Sequence, residues 1–137
     1  MTVETEHSRK YEAIKAEFPG IVTKQFECDT GWFPILREFF AVVRRVNPKG
    51  KERDFTLLQI KEKLGGLRIY YRLGKRVATA AETQIHAAYS AAEARAAGTC
   101  EVCGRPGVFR VQGGAWLLTR CEDHAEGGVP APPSAGM

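Results

Sequence analysis

No run of 18 apolar residues occurs in the chain, so no segment is long enough to cross a membrane as a helix. The N-terminal stretch MTVETEHSRKYEAIK mixes acidic and basic side chains and lacks the apolar core of a secretory signal. Cysteine is scarce. Four occur in 137 residues, and Cys28 stands apart from the other three, which points to a reduced, cytoplasmic protein rather than a disulfide scaffold. Common catalytic signatures are missing too: no glycine-rich phosphate loop and no G-x-S-x-G elbow. Thr99, not proline, precedes Cys100, which departs from the P-C-x-x-C half of the zinc deaminase pattern. Asp54 with Gln59-x-Lys61 echoes a metal-dependent nuclease, but the spacing is too short for two separate strands. Cys28 reads as a buried free thiol rather than a nucleophile.

What is present begins with a metal-ligand pattern. Cys100 and Cys103 form one C-x₂-C pair, Cys121 and His124 a second pair of the same gap, and 17 residues separate them. A tetrahedral Zn²⁺ takes four N/S ligands, and a tight turn brings two of them to one ion. Gly104 follows the first pair, where such a knuckle needs positive φ. A redox C-x-x-C would require no second pair. Four donors, three of them thiolates, suit one structural zinc better than a catalytic one with an open position.

The rest reads as an α+β domain. Its size, 44% hydrophobic residues and net charge of +4 allow a real core and acidic or nucleic-acid partners. A weak helix is predicted over Val3 to Phe18 through His7, Tyr11, Ile14 and Phe18, with Pro19-Gly20 as its stop. Ile21 to Glu27 is expected to be extended. A stronger helix opens at Asp29 or Thr30, with Pro34 in its first turn and Trp32, Ile35, Leu36, Phe39, Val43 and Val46 on one face. Asn47-Pro48-Lys49-Gly50 ends it. Thr79-Ala-Ala-Glu82 reads as a capping box for a third helix to about Ala97, with Ala81, Ile85, Ala88, Tyr89, Ala92 and Ala96 along one stripe. His86 lies beside that stripe and reads as a surface or packing residue.

Two hairpins are predicted. The first spans Phe55 to Leu73 and turns at Gly65-Gly66, which pairs Ile60 with Tyr71 and Leu58 with Leu73. Its apolar face carries Leu58, Ile60, Leu64, Leu67, Ile69, Tyr71 and Leu73, interrupted only by Glu62. Its other face groups Lys61, Lys63, Arg68 and Arg72 around Tyr70, with Gln59 among them and Phe55 and Leu57 at its far end. Cations there neutralise phosphates and the tyrosine stacks a base. Against this stands the plainer reading of a solvated sheet face. Arg44, Arg45, Lys49, Lys51 and Arg53 are expected to extend the positive surface. The second hairpin, Val108 to Thr119, turns at Gly113-Gly114 and puts Phe109, Val111, Trp116 and Leu118 on one face and Arg110 and Gln112 on the other.

Three motifs together, Gly31-Trp32-x-Pro34-Ile35-Leu36, Gln59-x-Lys61-Glu62-Lys63-Leu64-Gly65-Gly66-Leu67-Arg68-x-Tyr70, and Cys100-Glu101-x-Cys103-Gly104-x-Pro106-Gly107 with Trp116-x-x-Thr119-x-Cys121-x-x-His124, resemble a family of small bacterial and phage-encoded proteins. The resemblance covers roughly residues 25 to 125. The family has no assigned activity, so it implies zinc ligation by Cys100, Cys103, Cys121 and His124 alone, with His124 where other members have cysteine. The finger spacing is also similar to that of DksA/TraR-type regulators, which place a long coiled coil before it.

The expected fold is α+β, with helices packed on an antiparallel β-hairpin sheet and a treble-clef or zinc-ribbon-like finger docked through Trp116 and Phe109. Residues 1–98 form the main domain, 99–126 the finger and 127–137 a flexible tail. The expected function is a non-enzymatic, phage-derived binding protein with one structural Zn²⁺, using Lys61, Lys63, Arg68, Tyr70 and Arg72 on nucleic acid. The alternatives are an interaction module that inhibits or modulates a host protein complex, and an accessory part of a larger assembly. Neither a membrane nor a small-molecule substrate is expected.

Overall fold

Helix α1 (Glu6–Glu17) starts at Thr5 with a reciprocal cap that the sequence reading did not anticipate: Ser8 N–H donates to the Thr5 hydroxyl and Thr5 N–H to the Ser8 hydroxyl, both at 3.0 Å. A computed structural model describes residues 5–47 and 54–131. Tyr11, Ile14 and Phe18 are buried, as their spacing predicts. A short strand β1 (Phe26–Glu27) follows. His7 ties it to α1, its Nε2–H donating to the carbonyls of Phe26 at 2.9 Å and Cys28 at 3.1 Å.

A single 3₁₀ turn, Thr30–Trp32, leads into α2 (Phe33–Val46). Neither Asp29 nor Thr30 caps α2; Trp32 holds the cap position, and Pro34 sits in the first turn. Trp32, Ile35, Leu36, Phe39 and Val43 are buried as the spacing requires, together with Phe33 and Phe40. Phe26 stacks on Phe40 at 5.8 Å and meets Phe33 and Tyr11 edge-on at 5.1 and 4.9 Å. Such pairs add about 0.5–1.5 kcal/mol each beyond area burial, so this cluster fastens α1, β1 and α2 together. The expected stop beyond Asn47, with Lys49, Lys51 and Arg53, lies outside the described residues.

Strands β2 (Phe55–Lys63) and β3 (Gly66–Leu73) form the antiparallel hairpin, and β1 pairs parallel to β2 on its other side. The turn is Leu64-Gly65, at φ 55° and 82°, not Gly65-Gly66. Pairing therefore slides by two residues: Lys61 faces Arg68 and Ile60 faces Ile69. A two-residue slide keeps each side chain on its face, so Ile60, Leu67 and Ile69 point inward as expected. A bulge at Leu58 then reverses the alternation. Phe55 and Leu57 become buried, and Leu58 and Leu64, expected inside, are 43% and 57% exposed. Glu62 owes its inner-face position to the turn, its carboxylate accepting the Gly65 N–H at 2.7 Å.

Helix α3 (Thr79–Ala96) lies against α2 and β3, burying Ile85, Ala92 and Ala96. Its N-cap is Ala78, so Thr79 is already helical and the expected capping box does not form. His86 Nδ1 meets the Tyr71 hydroxyl, and its Nε2 lies 3.5 Å from Glu82.

The C-terminal part holds β4 (Val108–Gln112), β5 (Trp116–Arg120) and β6 (Val129–Pro130), ordered β5-β4-β6. Gln112 pairs with Trp116 around a three-residue loop, one residue longer than expected. That single step exchanges faces: Arg110 lies opposite Leu118, and Phe109 opposite Thr119. In this register Arg110 is buried and donates to the Arg120 carbonyl at 2.9 Å and the Gly128 carbonyl at 3.1 Å. Val129 and Pro130, expected in a flexible tail, pair with β4. The whole is α+β with antiparallel pairing and a zinc-finger-like site.

Candidate metal centre and basic hairpin face

Cys100 and Cys103 flank a tight turn closed by the Gly104 N–H on the Cys100 carbonyl at 2.9 Å, with Gly104 at φ +83° as the knuckle requires. Cys121 directly follows β5 in extended backbone, and the turn Glu122–His124 swings His124 back toward it. The four donor atoms lie within 4.8 Å of one another. Cys103 Sγ is 3.7 Å from Cys121 Sγ, and His124 Nδ1 is 3.8 Å from Cys100 Sγ and 3.2 Å from Cys121 Sγ. A tetrahedron with metal–sulfur bonds of about 2.3 Å and metal–nitrogen bonds of about 2.05 Å has edges of about 3.6–3.8 Å. Two of the three distances match those edges and the Cys121–His124 distance is shorter, so the donors are grouped closely enough for a four-coordinate ion after small side-chain shifts, and the cysteines are free thiols. Arg105 reinforces the site. Its hydrogen bond to the Cys103 sulfur holds that thiol down to about 6, and it also pairs with Asp123 at 2.7 Å.

Sequence reading overlooked that His124-Ala125-Glu126 has the H-x-E spacing of zinc deaminases. Glu126 instead pairs with Arg120 at 3.1 Å, and a fourth protein donor completes the cluster.

The finger is not docked through Trp116, which is 66% exposed. Its attachment is a set of polar locks that no periodicity signals. The indole N–H of buried Trp32 donates to the Thr99 carbonyl at 2.9 Å. Gly31 N–H donates to the Glu101 carbonyl at 2.7 Å, and Asp29 N–H to the Glu101 carboxylate at 3.0 Å. Burial pushes the Glu101 carboxyl up from its ordinary range. On the other side the Thr119 hydroxyl donates to the Gly65 carbonyl at 2.6 Å, and Phe109 comes close to Gly65. A glycine beside a tryptophan was the available clue.

An open groove of about 830 Å³ runs from α1 past Phe33 and Pro34 to Cys103 and His124. Four of its charges pair with one another, Lys10 with Glu6 at 2.7 Å and Arg37 with Glu17 at 2.6 Å, while Glu38 pairs with Arg95 outside it.

Lys61, Lys63, Arg68, Tyr70 and Arg72 do share the outward face of the β2–β3 hairpin. Lys61 Nζ lies 5.7 Å from the Tyr70 ring centroid. Two carboxylates border them: Glu27, in register with Lys61, accepts from Gln59 at 3.3 Å, and Glu93 of α3 holds Arg68 at 3.2 Å. Arg44 and Arg45 do not extend this face. Arg44 donates to the Glu17 carbonyl at 3.1 Å and covers Phe18, and Arg45 reaches Gln84 at 3.4 Å.

Comparison of the chain with protein-family models, curated proteins and solved structures gives no match. Among the described residues no helix is long and apolar enough to cross a membrane.

Proposed function

We propose that Cys100, Cys103, Cys121 and His124 hold one structural Zn²⁺, and that the protein is a non-enzymatic binder using its outward hairpin face on nucleic acid. Three thiolates and an imidazole at tetrahedral spacing suit zinc, and four protein donors leave no place for a reacting water. The observation that carries the nucleic-acid reading is the row Lys61, Lys63, Arg68 and Arg72 around exposed Tyr70. Such cations displace the counterions of a phosphate chain. A phage origin rests on the motif resemblance alone.

A second reading, a module that modulates a host protein complex, is favoured by Trp116 at the tip of the finger hairpin. A large exposed indole is a frequent interface anchor.

Metal analysis tests the first half, with one zinc per chain expected. Oligonucleotide binding across a salt series tests the second. Four phosphate contacts give a log–log slope near −3, or roughly 50-fold weaker binding between about 50 and 200 mM salt. Absent or salt-independent binding overturns the nucleic-acid reading in favour of a protein partner.

A further inference from the structure

We infer that the ligand of the hairpin face is a single-stranded nucleic acid, held by an unpaired base stacked on Tyr70 while its backbone follows β3 past Arg68 and Arg72. This rests on the nucleic-acid reading of the same face and specifies its substrate.

The ring is within reach: only Lys61 Nζ, 5.7 Å from its centroid on a flexible stem, stands over it. Tyr70 is 39% exposed in the middle of the outward face, opposite Gln59. The bulge adds a second apolar surface, because Leu58, the extra residue between Leu57 and Gln59, turns outward beside it. In a duplex the bases stack on one another and present no face to a ring; an unpaired base presents one.

Carboxylates stand on both sides of the cationic row. Glu27 borders it on the β1 side and Glu93 on the α3 side. A duplex brings two phosphate chains, and the second would lie against one of these carboxylates, where like charges repel. A single strand along β3 has only Glu93 beside it, and that carboxylate is already paired with Arg68. Along β3 the residues Arg68, Tyr70 and Arg72 follow at two-residue steps of about 6.8 Å, on the scale of one extended nucleotide. A base on Tyr70 therefore leaves neighbouring phosphates beside both arginines. Lys61, on its flexible stem next to the ring, reaches a phosphate as well.

The test is fluorescence anisotropy of the metal-loaded full chain with labelled oligo(dT), oligo(U) and a duplex of equal length. Either single strand should bind about 10-fold or more tightly than the duplex; equal binding of the two marks stacking without sugar contacts, and a preference for oligo(U) marks RNA as the source. Tyr70→Ala should weaken single-strand binding roughly 5- to 150-fold, the equivalent of 1–3 kcal/mol for one stacked base, with the salt slope unchanged. Tyr70→Phe should bind like the parent, and Arg72→Ala should reduce the slope by about 0.7. Zinc content and unfolding temperature check that each variant is folded. Duplex binding as tight as single-strand binding, an unaffected Tyr70→Ala, or a Tyr70→Phe as weak as Tyr70→Ala overturns the single-strand inference while leaving salt-dependent binding in place. If none of the three probes binds, the nucleic-acid reading itself fails.

Discussion

Gly31 and Cys100 meet backbone to backbone: a Cβ on Gly31 would stand 2.2 Å from the Cys100 carbonyl oxygen and 2.4 Å from that of Glu101. The start of α2 and the Cys100–Cys103 turn are thus one packed unit, and only glycine admits the approach. Gly31→Ala should cost about 3 kcal/mol, since neither carbonyl is on a flexible arm and the 2.7 Å hydrogen bond to Glu101 would also be strained. Urea unfolding measures the loss, and competition with a chromogenic chelator should show weaker metal retention.

Leu64 sits in the left-handed region at φ 55° with its side chain 57% exposed. Asparagine tolerates that conformation better than leucine, and almost no packing is surrendered. Leu64→Asn should therefore raise stability by about 0.5–1 kcal/mol, read as a higher urea midpoint at unchanged slope.

Removing the metal should unfold the finger before the rest, because few buried apolar residues hold it together without its ligand cluster. Chelator should release one equivalent of zinc and speed amide exchange in β4 and β5 while α2 stays protected. His124→Cys should retain the ion, and His124→Ala should lose it.

Burial pushes the Cys28 thiol above its ordinary value of 9.0. Native, metal-loaded protein should therefore show almost no thiol reactive toward a disulfide reagent at neutral pH, and four after denaturation with chelator. The unfolded thiol ionises near 9.0 while the folded one stays protonated. Above that pH the folded state binds the extra proton, so Cys28 lowers stability as pH rises, and Cys28→Ala should flatten that decline.

Periodicity and ligand spacing made the helices and the Cys/His cluster legible. The i, i+3, i+4 run through Trp32, Ile35, Leu36 and Phe39 finds a buried face wherever the helix begins, and a C-x₂-C pair closes its own turn. Strand pairing was less accessible because distant residues decide it. Gly65 and Gly66 both allow a tight turn; the choice of Leu64-Gly65 is supported by Glu62 bonding the Gly65 N–H and by Thr119, far along the chain, bonding its carbonyl. The finger hairpin shifted for a similar reason, as Arg110 seeks the carbonyls of Arg120 and Gly128. A polar side chain that satisfies a remote backbone leaves no periodic trace. The outward grouping of Lys61, Arg68 and Tyr70 survived because its error was an even number of residues.

The bond from Thr119 to Gly65 makes the order of the basic hairpin's tip depend on β5, and β5 runs directly into Cys121. On the proposed reading, ion and oligonucleotide are then thermodynamically linked through a shared strand. Whatever factor the bound ion adds to affinity at Lys63 and Arg68, the bound oligonucleotide returns to ion retention.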